Sequence, residues 1–182
     1  NLGLTLRALR QPDEAIVRFR RALIQRPDYP EASNNLGIAY ALRGNFAEAI
    51  AGFETAVARR PDFPDAISNF GLALMQDGQI DRAREIFEQA LVVDAKSFNN
   101  HNNLGECWYR KHEYGRAAAA FHRALQLEPR FWKARYNLGQ CLLSIDRCHE
   151  ALACFDSVLR VCPDFVDAHQ CRGITLCRLG TS

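Results

Sequence analysis

Five asparagines return at one fixed interval, at Asn1, Asn35, Asn69, Asn103 and Asn137, and Cys171 takes the next place in the series. A carboxamide carries both donors and an acceptor, so it can pair with the C=O and N–H of an extended polypeptide without reading its side chains. Asparagine is also a mediocre helix residue, costing about 0.5 kcal/mol against alanine, so its regular return needs a cause. One cause is a ladder of peptide-binding amides. Placed on helices packed roughly 10 Å apart, such a ladder meets an extended chain about every third residue, at about 3.3 Å per residue. The other is structural, with each asparagine bonding to a neighbouring helix. The sequence leaves both open.

Little else has the spacing of a reactive site. The histidines, His101, His112, His122, His149 and His169, do not share one phase of the 34-residue period, and there is no H-E-x-x-H and no glycine-rich phosphate loop. Cys148, His149 and Cys154, or His169 and Cys171, lack the C-x2-C spacing of a zinc site. The expectation is no catalysis, no cofactor and no metal. Seven cysteines, all from Cys107 onward, are an odd number and not a disulfide framework. Cys107 and Cys141 occupy a place filled by Ala39 and Ala73 in earlier periods, which reads as a small buried hydrophobe. A reducing, cytoplasmic compartment follows.

The asparagines are positioned by a wider pattern. Gly3, Gly37, Gly71, Gly105 and Gly139 recur at the same interval and Gly173 continues the series. Three residues on stand Leu6, Tyr40, Leu74, Trp108, Leu142 and Leu176. Twelve on is alanine (Ala15, Ala49, Ala83, Ala117, Ala151), and sixteen on is phenylalanine (Phe19, Phe53, Phe87, Phe121, Phe155). Nineteen on come Ala22, Ala56, Ala90, Ala124 and Val158, and proline closes the unit at Pro27, Pro61, Pro129 and Pro163, with Ala95 the exception. A fixed period of this length is the mark of a solenoid. Glycine and alanine sit where two helices cross closely, the larger apolar residues fill the remaining space, and proline stops the second helix of each unit.

The pattern L-G-x2-Y, A-x3-F-x2-A, P resembles the tetratricopeptide repeat over essentially the whole chain. The resemblance implies an all-α, right-handed α-solenoid, a superhelix of antiparallel helix pairs with a 34-residue repeat. One solenoid is expected over 1–182, divided as 1–29, 30–63, 64–97, 98–131, 132–165 and a first helix at 166–182. The proline-free stretch Asp94 to Asn100 keeps the register and reads as a softer joint.

In that family the first helix of each pair lines a concave groove, with the places two before and one, four and five after the glycine facing inward. Carried onto this chain, this implies a peptide-binding set of Asn35, Asn69, Asn103, Asn137, Ile38, Leu72, Met75, Tyr109, Arg110 and Lys133. The first half of the groove, with Leu4, Ile38 and Leu72, should grip apolar side chains. The second, with Glu106, Tyr109, Arg110 and Lys133, should read charge. The asparagine series resembles the ladder of O-linked N-acetylglucosamine transferases. The carboxylate clamp of co-chaperone repeats is absent, because the places three before the glycine hold Asn34, Ser68, Asn102, Tyr136 and Gln170.

A net charge of +2 with interleaved signs is too mild for a nucleic-acid or anionic-membrane partner, and no apolar run approaches a membrane span. The partner is therefore a protein or peptide, held along the groove. Two alternatives accompany that reading. The chain starts inside a repeat, as the substrate-recruiting arm of a larger glycosyltransferase or sulfotransferase would. The uncovered C-terminal helix would also suit self-association into a scaffold.

Overall fold

A computed structural model describes residues 12–180, so Asn1, Leu4 and the helix expected to open repeat one lie outside the described residues. Ten helices follow in order: α1 Pro12–Gln25, α2 Pro30–Leu42, α3 Phe46–Arg59, α4 Pro64–Gln76, α5 Ile80–Val93, α6 Phe98–Arg110, α7 Tyr114–Leu127, α8 Trp132–Ser144, α9 Cys148–Val161 and α10 Val166–Gly180. No strand occurs among the described residues. The fold is an all-α solenoid of antiparallel helix pairs whose first helices start at positions 30, 64, 98, 132 and 166, in step with the repeat of the sequence.

The backbone forms two compact units, residues up to Asp94 and residues from Ala95. In the first unit Pro30 and Pro64 open α2 and α4, where proline's fixed φ suits the helix and its missing N–H would be unpaired anyway. The second unit opens differently. With no proline at the joint, the Ser97 hydroxyl caps α6 by accepting from the Asn100 N–H at 3.3 Å.

Each turn between paired helices closes in the same way. The N–H groups of Asn45, Gln79, Glu113 and Arg147 return to the carbonyls of Tyr40, Leu74, Trp108 and Leu142 at 2.8–3.0 Å. That bond requires a left-handed residue just past the helix end. Gly44 and Gly78 supply it in the first unit, at φ 77° and 82°, and in the second His112 and Asp146 are held there at 60° and 62°.

The core repeats as faithfully. A Cβ built on Gly37, Gly71, Gly105 or Gly139 would fall 2.6–2.7 Å from the ring of Phe53, Phe87, Phe121 or Phe155. Real carbon atoms do not approach so closely, so each ring lies on a bare Cα and a methyl group there would force the pair apart. Those four rings are no more than 2% exposed. Ala49, Ala83, Ala117 and Ala151 are completely buried beneath them. Cys107 and Cys141 are fully buried in the place held by Ala39 and Ala73, and no disulfide joins any of the seven cysteines.

Candidate functional site

Each unit carries a cleft at the same register of the repeat. In the first unit it lies between α2 and α4 over Phe53 of α3, with a volume of about 230 Å³. In the second it lies between α6 and α8 over Phe121 of α7, with a volume of about 260 Å³. Ile38 and Leu42 on one wall of the first correspond to Glu106 and Arg110 in the second, and Leu72 on the opposite wall corresponds to Gln140. Asn69 and Asn137 hold equivalent places on those opposite walls.

The first cleft is apolar apart from Asn69 and Gln76 at its edge. Ile38 is half-buried and Leu72 is 37% exposed, so both offer carbon surface to a visitor. The second is a polar network. Arg110 donates to the Glu106 carboxylate at 2.7 Å, and the Gln140 amide donates to the Tyr136 hydroxyl at 3.1 Å. Tyr109 stacks edge-on against Tyr114 with ring centres 5.4 Å apart. Burial pushes its phenol up, against a lowering hydrogen bond from Ser144, so Tyr109 is a protonated hydroxyl at neutral pH.

The ladder asparagines bond sideways. Asn69 donates an N–H of its carboxamide to Oδ1 of Asn34 at 3.1 Å, and Asn137 does the same to Asn102 at 3.2 Å. Both acceptors are buried, at 6% and 8% exposure. At the corresponding place on α10 the thiol of Cys171 lies 3.7 Å from the Tyr136 hydroxyl. The bond to a neighbouring helix is thus present within each unit. It takes one of a carboxamide's two N–H donors, leaving the chemistry of the other donor and of the oxygen.

The clefts gather Asn69, Ile38 and Leu72 in the first unit and Asn137, Tyr109 and Arg110 in the second. Asn35 and Asn103 are half-buried on α2 and α6 and line neither. Two further expected groove residues lie away from the clefts. Met75 is 3% exposed and belongs to the core, where an unbranched thioether fills irregular space. Lys133 is exposed in the first turn of α8, its ammonium 5.8 Å from the centre of the Trp132 ring, and it also lines neither cleft.

Asn34, Asn102 and the phenylalanine floors are the parts of the site that residue types alone do not single out. Their trace in the sequence is the doubled asparagine at Asn34-Asn35 and Asn102-Asn103. Among the described residues no three His, Cys, Asp or Glu side chains gather to hold a metal ion, and no helix is long and apolar enough to cross a membrane.

Comparison with known proteins agrees with the repeat fold. Family models described as tetratricopeptide repeat match residues 1–66 and 41–104, together more than half the chain. A model described as anaphase-promoting complex, cyclosome, subunit 3 matches residues 76–158. No curated protein sequence gives a significant match. Similar solved structures include TTC0263, a thermophilic tetratricopeptide-repeat protein of Thermus thermophilus, at 27% identity and TM-score 0.73, covering 96% of this chain and 95% of that one. MamA of Desulfovibrio magneticus RS-1 superposes with TM-score 0.81 at 22% identity, covering 90% and 94%. YrrB, described as having an unusual peptide-binding site, superposes with TM-score 0.74 at 21% identity, covering 89% and 84%.

Proposed function

The chain being a tetratricopeptide-repeat protein, we propose that it is a non-catalytic interaction module that binds extended segments of partner protein in the clefts between its first helices. The observation that carries this reading is the repeated cleft, with an asparagine carboxamide on its wall in both units. Paired with a peptide backbone, that amide holds a chain of any sequence, and the cleft beneath it receives a side chain. A cavity of about 150 Å³ already takes benzene, so 230 and 260 Å³ are ample for one amino-acid side chain. The first unit selects an apolar one and the second a polar or charged one. YrrB, a structural neighbour with a peptide-binding site, is consistent with such a role. Seven cysteines with no disulfide among them fit a reducing, cytoplasmic setting.

Random dodecapeptides displayed on phage test this directly. Peptides enriched by the wild-type chain are synthesised and titrated calorimetrically against wild type, Asn69→Ala and Asn137→Ala. Loss of affinity in either variant at unchanged helical circular dichroism supports the cleft. Enriched peptides that bind all three chains equally place the binding elsewhere and refute it.

A further inference from the structure

We infer that Asn34 and Asn102 are positioning residues, which fix the plane of the ladder carboxamides of Asn69 and Asn137 so that each oxygen and second N–H is already oriented toward a peptide backbone. The inference rests on the peptide-binding reading and deepens it. The last torsion of an asparagine side chain is broad and roughly two-fold. A lone carboxamide on a cleft wall therefore presents donor and acceptor in either order. It must lose that freedom when a peptide arrives, and ordering a side chain on binding lowers affinity.

The structure removes the freedom beforehand. One N–H of Asn69 is committed to Asn34 Oδ1 at 3.1 Å, and one of Asn137 to Asn102 Oδ1 at 3.2 Å. The acceptors are themselves buried, at 6% and 8% exposure, where an amide is costly to leave without a partner. The bond thus satisfies a buried group and orients an accessible one at once.

A third junction within the units supports the coupling. Tyr136 stands in the place of Asn34 and Asn102, and the residue it meets 35 positions on is Cys171, not asparagine. The thiol and phenol lie 3.7 Å apart, so positioning side chain and ladder side chain differ there together. A thiol has no carboxamide to orient.

The test uses the full chain, with a phage-selected dodecapeptide as probe and two readouts. The exchange rate of the Asn137 side-chain amide protons, followed by nitrogen-edited NMR without peptide, reports the bond itself. Calorimetric affinity reports its consequence. Asn102→Ala is expected to accelerate that exchange and weaken the probe roughly three- to tenfold, the worth of one net hydrogen bond. Asn102→Asp retains an acceptor oxygen and is expected to keep both near wild type, which a merely structural loss of packing would not do.

Unchanged exchange in Asn102→Ala overturns the inference whatever the affinity. Affinity kept in Asn102→Ala but lost in Asn137→Ala overturns it and leaves the peptide site standing. Affinity kept in Asn102→Ala, Asn137→Ala and Asn69→Ala alike overturns site and inference together. Should Asn102→Ala fail to fold, Asn34→Ala read at Asn69 decides between the same outcomes in the other unit.

Discussion

The cleft over Phe53 and the cleft over Phe121 share a floor, a ladder asparagine and a sideways amide bond, yet Ile38, Leu42 and Leu72 line one where Glu106, Arg110 and Gln140 line the other. What is common belongs to the packing of helix on helix, and what differs lines the clefts. The contrast extends beyond the clefts. All five histidines and all seven cysteines lie after Asp94, and the left-handed turn residue changes from glycine to His112 and Asp146. A repeat protein keeps its joints and varies its linings, so the two can be perturbed separately.

The strongest perturbation attacks the shared joint. Gly71→Leu and Gly139→Leu are each expected to lower stability by roughly 3 kcal/mol, near the top of the range for an overpacked core. An added Cβ at these glycines meets Phe87 at 2.6 Å and Phe155 at 2.7 Å. Gly173→Leu is the control, because nothing lies within 4 Å of its added Cβ. A urea midpoint unchanged in Gly71→Leu would break the idea of a common joint.

Exchanging linings comes next. Ile38→Glu with Leu72→Gln gives the first cleft the second one's polarity. It is expected to remove about 2 kcal/mol, roughly thirtyfold in affinity, from a phage-selected peptide anchored there by an apolar side chain. Competition titration against the parent chain measures it, and equal affinity would mean that the lining does not select.

The turns are a smaller test. Gly44→Ala is expected to cost about 1 kcal/mol. Its φ is 77° and nothing crowds an added Cβ, so the cost is purely conformational. His112→Gly is expected to recover less than that, since glycine gains unfolded-state entropy and the 2.8 Å bond from the ring to the Tyr114 hydroxyl is lost. Thermal midpoints moving in opposite directions for the two variants would confirm the turn assignment.

The last effect is alkaline. Burial pushes the Cys141 thiol up to about 12, so the folded chain holds that proton more tightly than the unfolded one. Stability from this source is complete below the unfolded value, about 8.5, and falls as the pH climbs toward 12. The first unit has no cysteine and so no such dependence. Cys141→Ala is expected to shallow the loss in urea unfolding between pH 8 and 10, and an unaltered slope would assign the alkaline sensitivity to another group.

The joints were legible in the sequence because each uses a residue with one physical purpose. Glycine under a ring, alanine at a close crossing and, Ala95 apart, proline two residues past the second helix recur at fixed spacing, so helix starts at 30, 64, 98, 132 and 166 follow from counting. The turns at His112 and Asp146 carry no glycine and are visible only through the register of Gly44 and Gly78. The clefts were partly legible, in that the shift from Ile38 and Leu72 to Glu106 and Gln140 is written in the sequence. Azimuth was not: Met75 shares its repeat position with Tyr109, but one turns into the core and the other lines a cleft. The amide pairs escaped for a related reason. Asn34 meets Asn69 across 35 residues, and only the rotation of two helices about their axes decides that they touch.

The equality of the glycine–phenylalanine contacts has a consequence for how such a chain can change over generations. Within each unit helices pack against those one or two places away in the chain, and the approach of ring to glycine is the same at all four joints, 2.6–2.7 Å for an added Cβ. A gene segment running from one glycine codon to the next therefore encodes one complete ring-on-glycine joint. Unequal recombination could lengthen or shorten the protein by whole repeats without breaking such a joint, and each newly inserted copy would bring a lining free to diverge.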